Sequence, residues 1–168
     1  MEFNGTIADE NEILIVCLGH LYLSEGQVVR SQTRSGVQMF GGERRMVYYL
    51  RENLSIEEET LEDFVAKNRE QHPVEPDLNP GGRLICVEDE EFQRIFSAAD
   101  GWNRFRQTFP ESDGTLRFSR VGLNRSVTQA VLYAGQQFDW DVGSGGYWLL
   151  SKSDGDWVET GRSGVWMS

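Results

Sequence analysis

From Thr115 to Ser168 the chain alternates aromatic and aliphatic residues with polar ones and interrupts the alternation at glycines, the pattern of an antiparallel meander. Four of the five tryptophans fall in this third: Trp140, Trp148, Trp157 and Trp166. Leu116 and Phe118 alternate with Arg117 and Ser119, Gln129 to Gly135 follows, and then Tyr147 to Lys152. Asp154-Gly155 is the strongest hairpin signal, because glycine supplies the positive φ that a two-residue turn needs. That turn sets a register, with Lys152 opposite Trp157 and Ser151 opposite Val158. Gly161 and Gly164 predict a bend or bulge before Val165 and Trp166.

The amino-terminal part reads as mixed elements. Thr6 followed by Asp9 predicts a capped helix running to about Leu23, with Ile13, Val16, Cys17 and His20 on one side and Leu14, Leu18 and Leu21 beside it. A strand competes for Ile13 to Leu18, because short apolar runs are ambiguous by periodicity. Gln27 to Arg34 suits a strand, Ser35 to Gly42 a flexible connection, and Met46 to Leu50 a second short strand paired with the first. Ser55-Ile56-Glu57-Glu58 has the spacing of a capping box, opening a helix that stops near Gln71 because His72 precedes Pro73. Val74 to Gly82 is a loop and Arg83 to Val87 a short buried strand. Glu88 to Glu91 opens a helix with Phe92, Ile95 and Phe96 inward, and Asp100 caps another presenting Trp102, Phe105 and Phe109 before Pro110. Mixed elements first and strands last give an α+β class: three or four helices packed on one face of a twisted antiparallel sheet, ending in a four-strand meander.

At 168 residues with 39 % hydrophobic content, one core suffices, so residues 1–168 are expected to form a single domain. The net charge of −11 repels phosphate backbones, which disfavours nucleic acid as a partner and makes a basic protein partner conceivable. Met-Glu-Phe-Asn-Gly-Thr lacks the pattern of a signal peptide, and the longest apolar run, Ile13 to Leu23, is about half a membrane span. The chain as given therefore reads as soluble and cytoplasmic, or exported if a signal peptide has been removed, with no membrane partner. Cys17 and Cys86 sit in apolar runs where a thiol behaves as a small hydrophobe; a disulfide framework is ruled out by the count, and pairing between the two stays open.

Leu116-Arg-Phe-Ser-Arg-Val-Gly-Leu-Asn124, Thr128-Gln-Ala-Val-Leu-Tyr-Ala-Gly135, Gly146-Tyr-Trp-Leu-Leu150 and Val165-Trp-Met-Ser168 together resemble a group of small uncharacterised bacterial proteins. Asp63-Phe64, Lys67-Asn68 and the stretch from Trp102 to Pro110 are similar to that group as well, so the likeness spans most of the chain after Ser55. It implies a shared fold and no particular activity. Relatives often carry a cysteine pair in the loop before the Gly-Tyr strand. This chain reads Phe138-Asp-Trp-Asp-Val-Gly-Ser-Gly-Gly146 there, which removes any redox or disulfide role the resemblance would suggest.

The stretch Phe138 to Gly146 is the first candidate site. Trp140 between Asp139 and Asp141, followed by Gly143-Ser144-Gly145-Gly146, offers a stacking surface, two carboxylates and flexible backbone N–H groups to a sugar, a cation or a partner's arginine. The alternative is a solvated strand connection. Asp139 and Asp141 resemble the opening of a calcium loop, but its further ligands and closing glutamate are missing. Arg94, Arg104, Arg106, Arg117, Arg120 and Arg125 could clamp a carboxylate or phosphate if they shared a face, and otherwise pair with neighbouring acids. His20 suits the core or its boundary, and His72 a loop. Two histidines and two scattered cysteines do not make a zinc site, and no phosphate-loop, dinucleotide or Gly-x-Ser-x-Gly spacing occurs. Trp148, Trp157 and Trp166 with Tyr133 and Tyr147 form core, or a hydrophobic groove where the sheet stays uncovered.

These readings converge on a non-catalytic binding or protein-interaction module with no cofactor, no metal and no catalytic residues. Its recognition residues are Asp139, Trp140, Asp141, Ser144 and Arg120, and its partner is a small ligand or a protein. The alternative is a small hydrolase or isomerase with a cone-shaped, nuclear-transport-factor-2-like pocket, in which Asp139, Asp141 or His20 would supply acid or base.

Overall fold

The computed structural model describes residues 2–21 and 26–168. Thr6 opens α1 (Ile7–His20) with a reciprocal box: its hydroxyl accepts from the Asp9 amide at 3.2 Å, and the Asp9 carboxylate accepts from the Thr6 amide at 2.7 Å. The helix reading of Ile13 to Leu18 therefore prevails over the strand. Tyr22 and Leu23, the expected last residues of this helix, lie outside the described residues, and Leu21 is already extended.

A short β1 (Val28–Arg30) follows, and then α2 (Glu43–Asn53), where a second strand was expected. Met46, Leu50 and Leu54 recur at every fourth residue and bury together, whereas Tyr48 stays 67 % exposed; the five residues from Met46 to Leu50 are too few to reveal that period by themselves. The Ser35 to Gly42 connection includes a 3₁₀ turn at Val37–Phe40 and is tied down where the Tyr147 hydroxyl donates to the Ser35 carbonyl at 2.7 Å.

The Ser55 capping box does not form. Helix α3 (Glu58–Lys67) starts with Glu57 at its cap position and ends short of Gln71, while Glu58 pairs with Arg51 instead of reaching back. A distant side chain satisfies this segment: the Gln129 amide accepts from the Glu57 N–H at 2.7 Å and donates to the Ser55 carbonyl at 3.3 Å. Strand β2 (Ile85–Val87) lies at a sheet edge with Ile85 exposed, so its expected burial is only partial. Helices α4 (Asp89–Phe96) and α5 (Gly101–Thr108) present the expected aromatics to one another, although Asp100 makes no side-chain cap and pairs with Arg104 at 3.1 Å.

The remaining strands are β3 (Thr115–Phe118), β4 (Gly122–Leu123), β5 (Gln129–Asp139), β6 (Val142–Ser153) and β7 (Asp156–Met167). The sheet order is β2-β1-β3-β5-β6-β7, with β4 also paired to β5. Strands β3, β5, β6 and β7 are antiparallel, as the meander requires, but β1 is parallel to both β2 and β3, so the sheet is mixed rather than antiparallel. The long helical excursion between β1 and β2 returns the chain to the same end of the sheet, which permits parallel pairing. Among the described residues there are five helices rather than three or four, and they cover both faces. Helix α1 packs on the face bearing Val29, Leu116, Leu132, Trp148 and Leu150. Helices α2 and α3 cover Val131, Tyr133, Tyr147 and Leu149 on the other face, and α4 with α5 covers Val28 and Val87.

The β6–β7 hairpin has the expected register, Ser151↔Val158 and Lys152↔Trp157, with φ of 52° at Asp154 and 84° at Gly155. Two register shifts leave Thr160 and Val165 as extra residues on β7, beside the two glycines that predicted a bulge.

Candidate functional site

Among the described residues, a groove of about 420 Å³ opens on the sheet beyond the last turn of α1. Ala134 of β5, Gly146 of β6 and Gly164 of β7 are neighbours across three strands, and with no side chain longer than a methyl group they form a low floor. A Cβ placed on Gly164 would meet no atom of the described residues within 4 Å. Trp148, Leu21 and Met167 supply apolar surface, and Gln136, Ser144 and Arg162 supply polar groups. The Arg162 guanidinium lies 3.5 Å from the centre of the Trp148 ring and is held by two hydrogen bonds of 2.8 Å to Glu159. Among the described residues, none that lines the groove is an aspartate, glutamate, histidine or cysteine. The volume and mixed lining suit a small-ligand site, and the groups present can stack, donate and accept but hold no proton that titrates near neutrality.

The expected loop is shorter than the sequence implied. Strand β5 runs to Asp139 and β6 resumes at Val142, so Trp140 and Asp141 alone form the turn, while Gly143, Ser144, Gly145 and Gly146 belong to β6 and are not a flexible segment. The glycine at 145 has a packing reason: its Cβ would lie 2.2 Å from the Trp166 indole nitrogen, which crosses over it to donate to the Tyr133 hydroxyl at 2.7 Å. Asp139 bonds Arg106 at 2.6 Å, and Trp140 meets the Phe96 ring edge-on at 6.1 Å, so the hairpin tip is docked against α4 and α5. The Trp140 N–H and the Arg106 guanidinium hold the Asp139 carboxyl below its ordinary range. Trp140 remains half exposed. Of the five expected recognition residues, Asp139, Trp140 and Asp141 share this tip, Ser144 lines the groove, and Arg120 lies elsewhere.

Arg120 belongs to a buried ionic cluster that the sequence did not announce. Its guanidinium donates to Glu10 at 2.7 Å, and the same carboxylate accepts from the Val121 N–H at 3.1 Å. Lys67 lies 3.5 Å from Glu10 and 2.7 Å from Asp63, and donates to the carbonyls of Asn4 and Val121. Asp63 accepts from the N–H groups of Asn4 and Leu123. Two acids and two bases thus clamp α1, α3 and the segment around β4. Asn68 adds two hydrogen bonds to the Arg120 backbone, and the Asn124 side chain accepts from the N–H groups of Thr128 and Gln129. The only hint in the sequence was the i,i+4 pair Asp63 and Lys67; Glu10 in an apolar helix face was the missed signal.

The other arginines do not converge as a group of six: Arg104 pairs with Asp100, Arg106 with Asp139 and Arg125 with Glu59, as the competing reading of surface pairing held. His20 is exposed rather than in the core, its ring 6.0 Å from Trp148, and His72 is half-buried in a loop. Cys17 and Cys86 are free thiols. Among the described residues no cluster of three or more His, Cys, Asp or Glu side chains could hold a metal ion, and no helix is long and apolar enough to cross a membrane.

Burial pushes the Cys17 thiol up to about 12 and raises Tyr133 and Tyr147 above their ordinary values. These groups keep their protons in the folded chain after the unfolded chain has lost them, so the folded state binds more protons and stability falls as pH rises. The window for Cys17 opens at its unperturbed value of 9.0 and closes at about 12. Urea midpoints are therefore expected to decline as pH rises from about 9 towards about 12, and to decline less in Cys17→Ala; a flat midpoint would contradict the buried thiol. Searched against protein-family models, curated proteins and solved structures, the chain has no significant match.

Proposed function

We propose that this chain is a non-catalytic binding module whose recognition surface is the groove formed by Ala134, Ser144, Gly146, Trp148, Arg162 and Gly164. The observation that carries this reading is the lining itself: an open backbone floor, a Trp–Arg stack and short polar groups, with no carboxylate, imidazole or thiol among the described lining residues to act as acid or base. An apolar, planar ligand body would lie on the glycine floor beside Trp148, with an acceptor group directed at Arg162. The rival, a small hydrolase or isomerase, asks for a titratable group at the ligand; Asp139 is engaged by Arg106 at the hairpin tip and His20 is not among the groove residues, which supports binding over acid–base chemistry.

The test is a thermal-shift screen of small aromatic acids, sugars and nucleosides against the parent and Gly164→Leu. Because a side chain at 164 enters open space, the variant is expected to fold within about 1 kcal/mol of the parent while filling the groove. A ligand that binds only the folded state at about 100 times its dissociation constant stabilises by about 2.7 kcal/mol. Ligands that stabilise the parent should fail to stabilise Gly164→Leu; full stabilisation of the variant would place binding elsewhere and end this reading.

A further inference from the structure

The opposite face of the sheet carries an arrangement of charge that the groove does not use. Arg30 ends β1, Arg34 follows it, and Arg117 lies on β3. Strands β1 and β3 are parallel with Val28↔Thr115 and Val29↔Leu116, and the next step of that register sets Arg30 beside Arg117 on the same face. Adjacent strands are about 4.8 Å apart, so two like charges stand side by side, an unfavourable pairing on its own. Arg34 is brought to the same place because its N–H donates to the Phe118 carbonyl at 2.9 Å.

Among the described residues, one carboxylate serves two of these three guanidiniums. Asp89, at the start of α4, gives one oxygen to Arg30 at 3.1 Å and the other to Arg34 at 3.5 Å. Arg117 is left with the neutral Gln137 carbonyl oxygen at 3.2 Å, and the Arg34 Nε is buried without a hydrogen-bond partner. Phe92 stacks under Arg30 at 4.6 Å, Tyr133 neighbours Arg117, and the other acids of the first turn of α4, Glu90 and Glu91, are exposed. Among the described residues two positive charges thus remain uncompensated in a half-buried place, on a chain whose net charge is −11. Burial and the neighbouring arginines lower the proton affinity of both Arg34 and Arg117, as expected where positive charge lacks a counterion.

We propose that Arg30, Arg34 and Arg117 form a binding site for a phosphate-type dianion, held between the sheet and the start of α4 and distinct from the groove. Two uncompensated charges match a dianion, and three planar forks match the four oxygens of a tetrahedral group better than the two of a single carboxylate. Asp89 stays in the site, orienting Arg30 and Arg34.

The experiment is thermal and urea unfolding of the full chain in inorganic phosphate against sodium chloride of equal ionic strength, above about pH 7 where phosphate is largely dianionic. The same measurement is made in sodium malonate and on Arg117→Met, Arg34→Gln and the groove variant Gly164→Leu. Phosphate at about ten times its dissociation constant should raise the folding equilibrium constant about tenfold beyond the chloride control. Arg117→Met should lose that increase, and without phosphate it should be at least as stable as the parent, because it removes one of two adjacent like charges. Gly164→Leu should keep the increase, which separates this site from the groove. No phosphate effect beyond chloride, or an effect retained in both arginine variants, would overturn the proposal. An equal response to malonate would overturn the assignment to a tetrahedral dianion. If Arg117→Met does not fold, Arg34→Gln decides, with ³¹P line broadening of phosphate on the parent as the second readout: broadening that Arg34→Gln abolishes supports the site, and broadening that it leaves unchanged overturns it.

Discussion

Lys67→Met is expected to destabilise the protein by about 3–5 kcal/mol, the usual cost of breaking a buried ion pair by removing one partner. Lys67, Glu10 and Asp63 are each more than nine-tenths buried, and among the described residues the ammonium is the only positive group bonded to Asp63. Methionine preserves much of the volume, so the cost comes from charge: Asp63 would keep only its two backbone donors, and the Asn4 and Val121 carbonyls would each lose a bond from Nζ. This is the cost of an orphaned charge and not the net value of the network, which replacement of all four ionic side chains would measure. Urea unfolding followed by tryptophan fluorescence gives the number. Arg125→Met, which removes an exposed pair with Glu59, serves as the control and should shift the midpoint little. A loss below about 1 kcal/mol in Lys67→Met would mean that the cluster relaxes or hydrates, and that it does not clamp β4 to the helices.

Gly122→Ala is the second large effect, expected at about 3 kcal/mol, the upper end of the range for overpacking. A Cβ at position 122 would lie 2.4 Å from the Phe64 Cβ, 2.6 Å from its Cα and 2.7 Å from its nitrogen. Those are mostly backbone atoms of α3, so no rotamer change relieves the contact and the helix must move away from β4. That movement would stretch the Asp63 bond to the Leu123 N–H, so the effect should couple with Lys67→Met rather than add to it. Gly164→Ala, where the new methyl group meets nothing within 4 Å, should change stability by less than about 0.5 kcal/mol. Equal effects of the two alanines would show that the close approach of α3 and β4 does not limit the fold. Both large predictions fall on residues of the stretches Asp63 to Asn68 and Ser119 to Asn124, and the structure gives those stretches a mechanical role in joining α1, α3 and the sheet.

What was legible in the sequence followed from local rules. The β6–β7 hairpin register came from two residues, Asp154 and Gly155, because a two-residue turn with positive φ leaves one way to pair the strands. The Thr6 box, the helices α4 and α5 and the alternation in β3 were likewise readable from spacing over a few residues. Where a local rule met a stronger distant partner it failed: Gln129 displaced Ser55 as the group that satisfies the chain ahead of α3, and Arg104 took the Asp100 carboxylate from its expected cap.

The candidate site shows the same division. Ser144 was singled out and lines the groove, Trp148 was foreseen as core or groove wall, and Arg117 was grouped with five arginines that the fold does not place beside it. Its actual neighbours, Arg30 and Arg34, lie more than eighty residues earlier, and only the parallel pairing of β1 with β3 joins them. By itself the sequence determined the elements whose signals are local: caps, the two-residue turn and period-two alternation. Tertiary structure decided which faces are covered, that β1 pairs in parallel, that Glu10 and Lys67 meet in the core, and where the sheet stays open. Those outcomes depend on contacts between residues far apart in the chain, whose partners no spacing along it can name.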